Sequence, residues 1–340
     1  MKNLSLYIII VALLSLCACS APEPTDTDKA SADLFAMNTY MSITAYGTNA
    51  DIAVSSIEKY IYEMDRKWSV TNPESEIILL NSQKQAALSV DTKEILERSA
   101  ALHNLTSGAF NITTFPIVKL WGFTTSSYQI PASQDIEAAL PYLDSSAVKI
   151  NGNTASITNA HTELDLGAIA KGYVTDKAKD ILVENGVASA IVSLGGNIYA
   201  HGTRVDGEPW RVGVQDPLDA DKKLGYIEAI DLAVITSGSY ERFFEADGKL
   251  YHHIIDPETG FPADNGLVSV TIVCDNATTA DALSTATFVM GMEKSVAFWQ
   301  ESGKYFGIIF VTEDGKIFIT ENIASKFHSI DKKTEISIIN

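Results

Sequence analysis

In the stretch "NATTADALSTATFVMG" (276–291), Asp281 and Thr285 stand four residues apart with Ser284 beside them. Asn276 is a good N-cap and Gly291 a good stop, so the stretch reads as a helix, and that spacing puts Asp281 and Thr285 on one face. Their neighbours are alanines, Leu283, Phe288 and Val289, so the helix is mostly buried and its acid needs a partner. A hard cation held by the carboxylate and hydroxyls is one such partner. Backbone amides of a neighbouring loop are the other.

A second stretch, "LDLGAIAKGYVTDKA" (164–178), reads as an apolar strand that stops at Asp165 and restarts as a helix near Lys171. Between them lie Gly167, Ala168, Ile169 and Ala170, with Gly172 just beyond. Such a turn can expose carbonyls, that of Ala168 among them, and aim helix amides at an anion. Mg²⁺ takes oxygen ligands and shares them with substrate phosphates. The small residues would then admit a pyrophosphate and its ion to the backbone; tight helix-on-sheet packing is the competing reason for the glycines.

Three further stretches carry chemistry. Gly195-Gly196 in "SLGGNIYAHG" follows an apolar strand, and "TSGSYERFF" is a polar turn of small residues ending in Tyr240. In "YHHIIDPETGFP", His252 and His253 alternate on a strand and face opposite sides, so one can point inward as a general base. No P-loop, dinucleotide Gly-x-Gly-x-x-Gly, His-Glu-x-x-His or Gly-x-Ser-x-Gly pattern occurs.

The elements that position these residues are mixed. Helical patterns cover 49–67, 73–82, 169–185, 276–290 and 292–302. Another runs from Asp91, with Glu94 as its capping-box partner, to Gly108, and Ser133 caps "SQDIEAALPYL". Strand patterns begin near Leu34 and recur at 162–166, 187–194, 210–216, 225–236, 250–256, 267–274, 305–311 and 316–320, with a hairpin at Asn151-Gly152. No repeat or linker divides them, so one intertwined α+β body is expected.

The 340 residues are 46% hydrophobic, enough for a proper core, and carry a formal charge of −18, which sets nucleic-acid binding aside. Phosphates must be met locally, by a metal ion or backbone amides. Lys2, the apolar run from Leu6 to Leu16 and "LCAC" order themselves as a secretory signal of the lipoprotein type. Residues 1–18 would be removed, Cys19 lipidated, 19–33 left as a flexible tether and 34–330 folded; an ordinary signal cleaved near Ala21 is the alternative. Cys274 would then be the sole thiol, a packing residue, with no disulfide and no thiolate metal site.

Together, "SGAFNITTFPIVKLWGF" (107–123), "LDLGAIAKGYVTDKA", "VSLGGNIYAHG" (192–202), "WRVGVQDP" (210–217), "TSGSYERFF" (236–244), "HHIIDPETGFP" (252–262) and "ADALSTATFVMG" (280–291) resemble, in order, the ApbE family of FAD:protein FMN transferases. The resemblance spans roughly residues 35 to 315. It implies a T-fold-like body of mainly antiparallel sheet with packed helices, and Mg²⁺-dependent transfer of FMN from FAD to a threonine hydroxyl with release of AMP. By position it implies Met37, Ala109, Phe110, Asn111, Asp165, Lys171 and Ile255 at the FAD pocket. Ala168, Asp281, Ser284 and Thr285 would hold the metal, and His253 would be the base. The implied acceptor is an exported domain of a membrane redox complex with a Ser/Thr-Gly-Ala-Thr-like motif, and the enzyme would be exported and lipid-anchored to the bacterial membrane. Asn111 stands where the family often has Asp, Asn38 where it has Gly, and Thr71 where an aromatic residue is common. An FAD pyrophosphatase and a flavin- or solute-binding lipoprotein are the alternative functions.

Overall fold

The computed structural model describes residues 29–125, 127–331 and 335–340. The expected leader, Cys19 and the tether up to residue 28 lie outside them. Nine strands form the central sheet, in the spatial order Lys29–Ala36, Thr39–Tyr46, Ser189–Leu194, Asn197–Gly202, Leu232–Gly238, Leu267–Cys274, Gly307–Thr312, Ile317–Thr320 and Ile336–Ile339. Neighbours are antiparallel except the last pair, which is parallel.

The helices are α1 (Ala50–Trp68), α2 (Glu76–Gln83), α3 (Val90–Leu105), α4 (Phe115–Leu120), α5 (Ser133–Ala139), α6 (Ala170–Glu184), α7 (Ala277–Glu301) and α8 (Glu321–Ala324). Strand alternation sorts the core into two layers. Ala233 and Ile235 pack with the helical residues Ile57, Tyr173 and Leu283, whereas Val234 between them packs with Val212 and Ile227 of a three-stranded sheet. The central strands are thus covered on both faces, which is why "LVSVTIVC" is almost wholly buried, Cys274 included. The architecture is the expected α+β body.

Several boundaries differ from the sequence expectation. The first strand starts at Lys29 and the last ends at Ile339, so the folded body reaches beyond 34–330 at both ends. Residues 162–166 join no sheet: Asn81 of α2 accepts from the Leu164 amide (2.7 Å) and donates to its carbonyl (2.9 Å), replacing a ladder with one side chain. The 225–236 run breaks where Asp231 takes φ 51°, between a strand ending at Ala229 and one starting at Leu232. Ser89, not Asp91, caps α3, and Ser133 is the first residue of α5 rather than its cap. The 250–256 strand ends at His252, with an isolated bridge from Ile255 to Pro262 beyond it. Among the described residues no helix is long and apolar enough to cross a membrane.

Candidate active site

A cavity of about 630 Å³ opens where the start of α6, the second turn of α7, the Met37-Asn38 turn and the segment after His252 converge. That volume lies within the usual range for small-ligand sites, roughly 300–1,000 Å³. Met37, Ala109, Asn111, Asp165, Ala168, Lys171, His253, Ile255, Asp281 and Thr285 all line it. Phe110 and Ser284 are not among its lining residues. Phe110 is wholly buried in the core, tied through its carbonyl to His103 Nδ1 (3.0 Å). The Ser284 hydroxyl donates to the Asp281 carbonyl and lies 2.8 Å from Ser237 Oγ.

The start of α6 explains the oxygen donors. Gly172 lies in the first turn of α6, where an amide has no partner within its own helix. It donates to Asp281 Oδ2 at 2.8 Å, and no backbone amide among the described residues bonds to the Ala168 carbonyl. Ala168, Asp281 and Thr285 (its hydroxyl 3.3 Å from Ser237 Oγ) all line the cavity and offer it a carbonyl, a carboxylate and a hydroxyl. They fit a hard cation that completes its shell with water and substrate oxygens rather than a closed protein cage. No group of three His, Cys, Asp or Glu suited to a metal occurs among the described residues. The glycine track has a different cause from the one expected. A Cβ on Gly172 would lie 2.3 Å from the Ala277 carbonyl oxygen and 2.5 Å from Asp281 Cβ, so the close neighbour is α7 itself. Gly167 and Ala168 remain for a ligand at the cavity wall.

The two histidines face apart. His252 is buried, with Nε2 3.0 Å from the Ala263 carbonyl and its ring edge-on to Phe288. His253 lines the cavity, with Nδ1 3.2 Å from the Arg242 carbonyl. An Nδ1–H donated there leaves the Nε2 lone pair free to accept a proton. Burial, reinforced by the Arg242 guanidinium, pushes the His253 pKa down to about 3, so the ring is neutral at pH 7. Burial moves Asp165 the other way, above the usual carboxylate range, although its Oδ1 accepts from the Gly167 amide.

Asp65, Asp165, Glu241 and Asp281 line the cavity against two permanent cations, Lys171 and Arg242. Arg242, Glu241 and Ser237 escaped sequence reasoning, although all lie in "TSGSYERFF". Tyr240, at the end of the expected turn, is not a lining residue; partial burial pushes its hydroxyl up to about 12. The expected polar turn is confined to 239–242, between strands ending at Gly238 and starting at Phe243, and spacing offers no signal for side chains in so short a turn.

The departures at Asn38 and Asn111 have local causes. Met37 and Asn38 form the two-residue hairpin turn with φ 48° and 59°, a conformation that Asn tolerates and that Met adopts at a cost of about 1–2 kcal/mol. Asp65 Oδ1 accepts from the Met37 amide at 3.0 Å and secures it. Asn111 accepts from the Thr113 amide and donates to the Leu143 carbonyl (3.1 Å), a bond that an ionised Asp could not make.

Comparison with known proteins identifies the family. The ApbE family matches residues 37–309. The FAD:protein FMN transferase of Treponema pallidum (strain Nichols) is 34% identical over 302 residues, covering 83% of this chain and 83% of its own. The FAD:protein FMN transferase of Vibrio cholerae serotype O1 is 34% identical over 267 residues, covering 77% of this chain and 80% of its own. Among solved structures, the ApbE protein from Thermotoga maritima has a TM-score of 0.82 at 32% identity, over 88% of this chain and 99% of its own. The flavin transferase ApbE from Vibrio cholerae has a TM-score of 0.79 at 29% identity, over the same shares. With its match running through nearly every segment of the cavity wall, this chain belongs to the ApbE family.

Proposed function

We propose that the protein is an FAD:protein FMN transferase that joins FMN through its phosphate to a threonine hydroxyl of an acceptor protein and releases AMP. The observation that carries this reading is the convergence, on one cavity, of His253, whose Nδ1 lies 3.2 Å from the Arg242 carbonyl, with the oxygen donors Ala168, Asp281 and Thr285. A threonine hydroxyl attacks the FMN phosphorus, a new P–O bond forms, the anhydride P–O bond breaks and AMP leaves. The hydroxyl proton passes to His253 Nε2. Lys171 and Arg242 orient the phosphates, and Met37, Ala109 and Ile255 line the wall against the rest of FAD. Mg²⁺ held by Ala168, Asp281 and Thr285 would neutralise the developing phosphate charge, which a cavity with more carboxylates than cations cannot do unaided.

The same reading has the chain exported and tethered through a lipidated Cys19, supported by the "LCAC" leader. The acceptor is then an exported domain of a membrane redox complex with a Ser/Thr-Gly-Ala-Thr-like motif. The test incubates the full chain with FAD and such a domain, with Mg²⁺ or with EDTA. Flavin fluorescence on the denatured acceptor and AMP by chromatography are read together. Equal AMP and labelled acceptor, both abolished by EDTA, are expected. AMP with free FMN and unlabelled acceptor would replace transfer by FAD hydrolysis, and intact FAD would leave a binding protein.

A further inference from the structure

Helices α6 and α7 hold each other by a reciprocal exchange, and one half of it lies outside the site described above. The Asp176 carboxylate of α6 reaches the first turn of α7. Its Oδ1 accepts from the Ala277 amide at 2.8 Å. Its Oδ2 accepts from the Thr278 amide (2.9 Å), the Thr278 hydroxyl (2.5 Å) and Asn276 Nδ2 (2.9 Å). In return, Asp281 of α7 accepts from the Gly172 amide of α6. Gly172 and Asp176 are one turn apart on α6, and Ala277 and Asp281 one turn apart on α7, so the bonds form two rungs between neighbouring helical turns. Asn276 already caps α7 through the Thr279 amide (2.8 Å), so Asp176 is a second anchor on a capped helix.

We infer that Asp176 is a positioning residue that sets the metal-binding register between α6 and α7. This rests on the metal reading under Proposed function. The donors come from both helices: Ala168 just before α6, Asp281 and Thr285 on α7. Core packing through Leu283, Ala286 and Phe288 holds α7 on the central sheet, and the second rung fixes its first turn along α6, and with it the Asp281 carboxylate relative to the Ala168 carbonyl. Asp176 itself does not line the cavity and touches no ligand position there.

The test is direct binding of Mn²⁺, as a stand-in for Mg²⁺, to the full chain in the presence of ADP as the pyrophosphate probe. Free Mn²⁺ is counted by electron paramagnetic resonance, and no turnover is needed. In Asp176→Asn, an amide NH₂ opposes one of the N–H donors it must accept. Mn²⁺ affinity should fall about tenfold or more, the range seen when groups that orient metal ligands are lost. Thr278→Val removes a single donor and should weaken binding in the same direction by less. Trp299→Phe removes the indole bond to the Phe306 carbonyl (2.7 Å), beyond the break in α7, and serves as a destabilised control. It should lower the melting temperature while leaving the Mn²⁺ constant unchanged. Wild-type Mn²⁺ affinity in Asp176→Asn, or equal losses in the Trp299→Phe control, would overturn the register role while sparing the metal reading. If Asp176→Asn does not fold, Thr278→Val decides on the same criterion. Failure of the wild-type chain to bind Mn²⁺ with ADP would overturn both.

Discussion

Replacing Gly172 by Ala adds one methyl group at the point where α6 and α7 touch. The backbone there is helical with negative φ, so the change carries no torsional cost and gains about 1 kcal/mol of helix propensity. The cost is steric. The new Cβ would sit 2.5 Å from Asp281 Cβ and 2.3 Å from the Ala277 carbonyl oxygen. Carbon atoms in contact stand about 3.5–4.0 Å apart, so the helices must separate by about 1 Å. Neither neighbour can swing aside, because one is helix backbone and the other is fixed to it. Overpacking of this kind costs about 1–3 kcal/mol, which the propensity gain partly offsets, so the net loss of stability is about 0–2 kcal/mol. A displacement of about 1 Å between Asp281 and Ala168 weighs far more on catalysis, about a hundredfold. Urea denaturation and Mg²⁺-dependent AMP release, measured on the same preparation, separate the two. Gly152→Ala, at φ 60° with open space around it, is the opposite case and should lose stability while keeping full activity. A Gly172→Ala protein with wild-type turnover would refute the argument that this contact sets the donor geometry.

Other perturbations test other parts of the site. Asp281→Ala should abolish transfer in the AMP assay while the chain stays folded, at a cost of about 1–3 kcal/mol for the stranded Gly172 amide; full metal-independent activity would contradict it. His253→Gln should lower turnover by about 10²- to 10⁴-fold, with FAD binding, read by flavin fluorescence quenching, retained. The same histidine gives a pH dependence with a definite sign. Its folded pKa of about 3 lies below the unfolded value of about 6.5, so between these the unfolded chain binds the extra proton and stability falls as pH drops. Melting temperatures from pH 8 to 4 should show that decline, and His253→Gln should flatten part of it. Asn81→Ala removes both bonds to Leu164 and should cost about 2–4 kcal/mol in urea denaturation, with a raised KM for FAD because the Asp165 segment loses its support.

The sequence was most informative where chemistry and periodicity coincide. Asp281 and Thr285 could be placed together because helical spacing is local and needs no knowledge of the rest of the fold. The opposite faces of His252 and His253 followed from strand alternation in the same way. Contacts made across long stretches of chain were hidden. The role of Asn81 depends on Leu164, separated from it by 83 positions, and nothing near either residue announces the pairing. Gly172 was noticed for its small size, but whether a ligand or a helix claims the vacant space is decided by α7, more than a hundred residues away. Arg242 faces the cavity from an irregular turn, where side-chain direction has no period to read. Asn111 could be recognised as a departure but not explained, since its reason is the Leu143 carbonyl.

The break in α7 at Gly291, with φ 75° and ψ 170°, has a consequence for how the family can vary. Each residue added to a continuous helix turns everything beyond it by about 100°. An insertion or deletion anywhere along an unbroken α7 would therefore force either its Asp281 end or its Trp299 end off its neighbours. The break, tied at its edge by Asn265 to the Phe288 carbonyl (2.7 Å), lets the two halves take separate phases, joined across it by the Ser295 hydroxyl on the Thr287 carbonyl (2.9 Å). Length changes must therefore fall past Ser295, where they leave that bond and the half that carries Asp281 and Thr285 in place. The end of the distal half, anchored through Trp299, is accordingly the place to lengthen, shorten or graft onto this helix without disturbing the cavity.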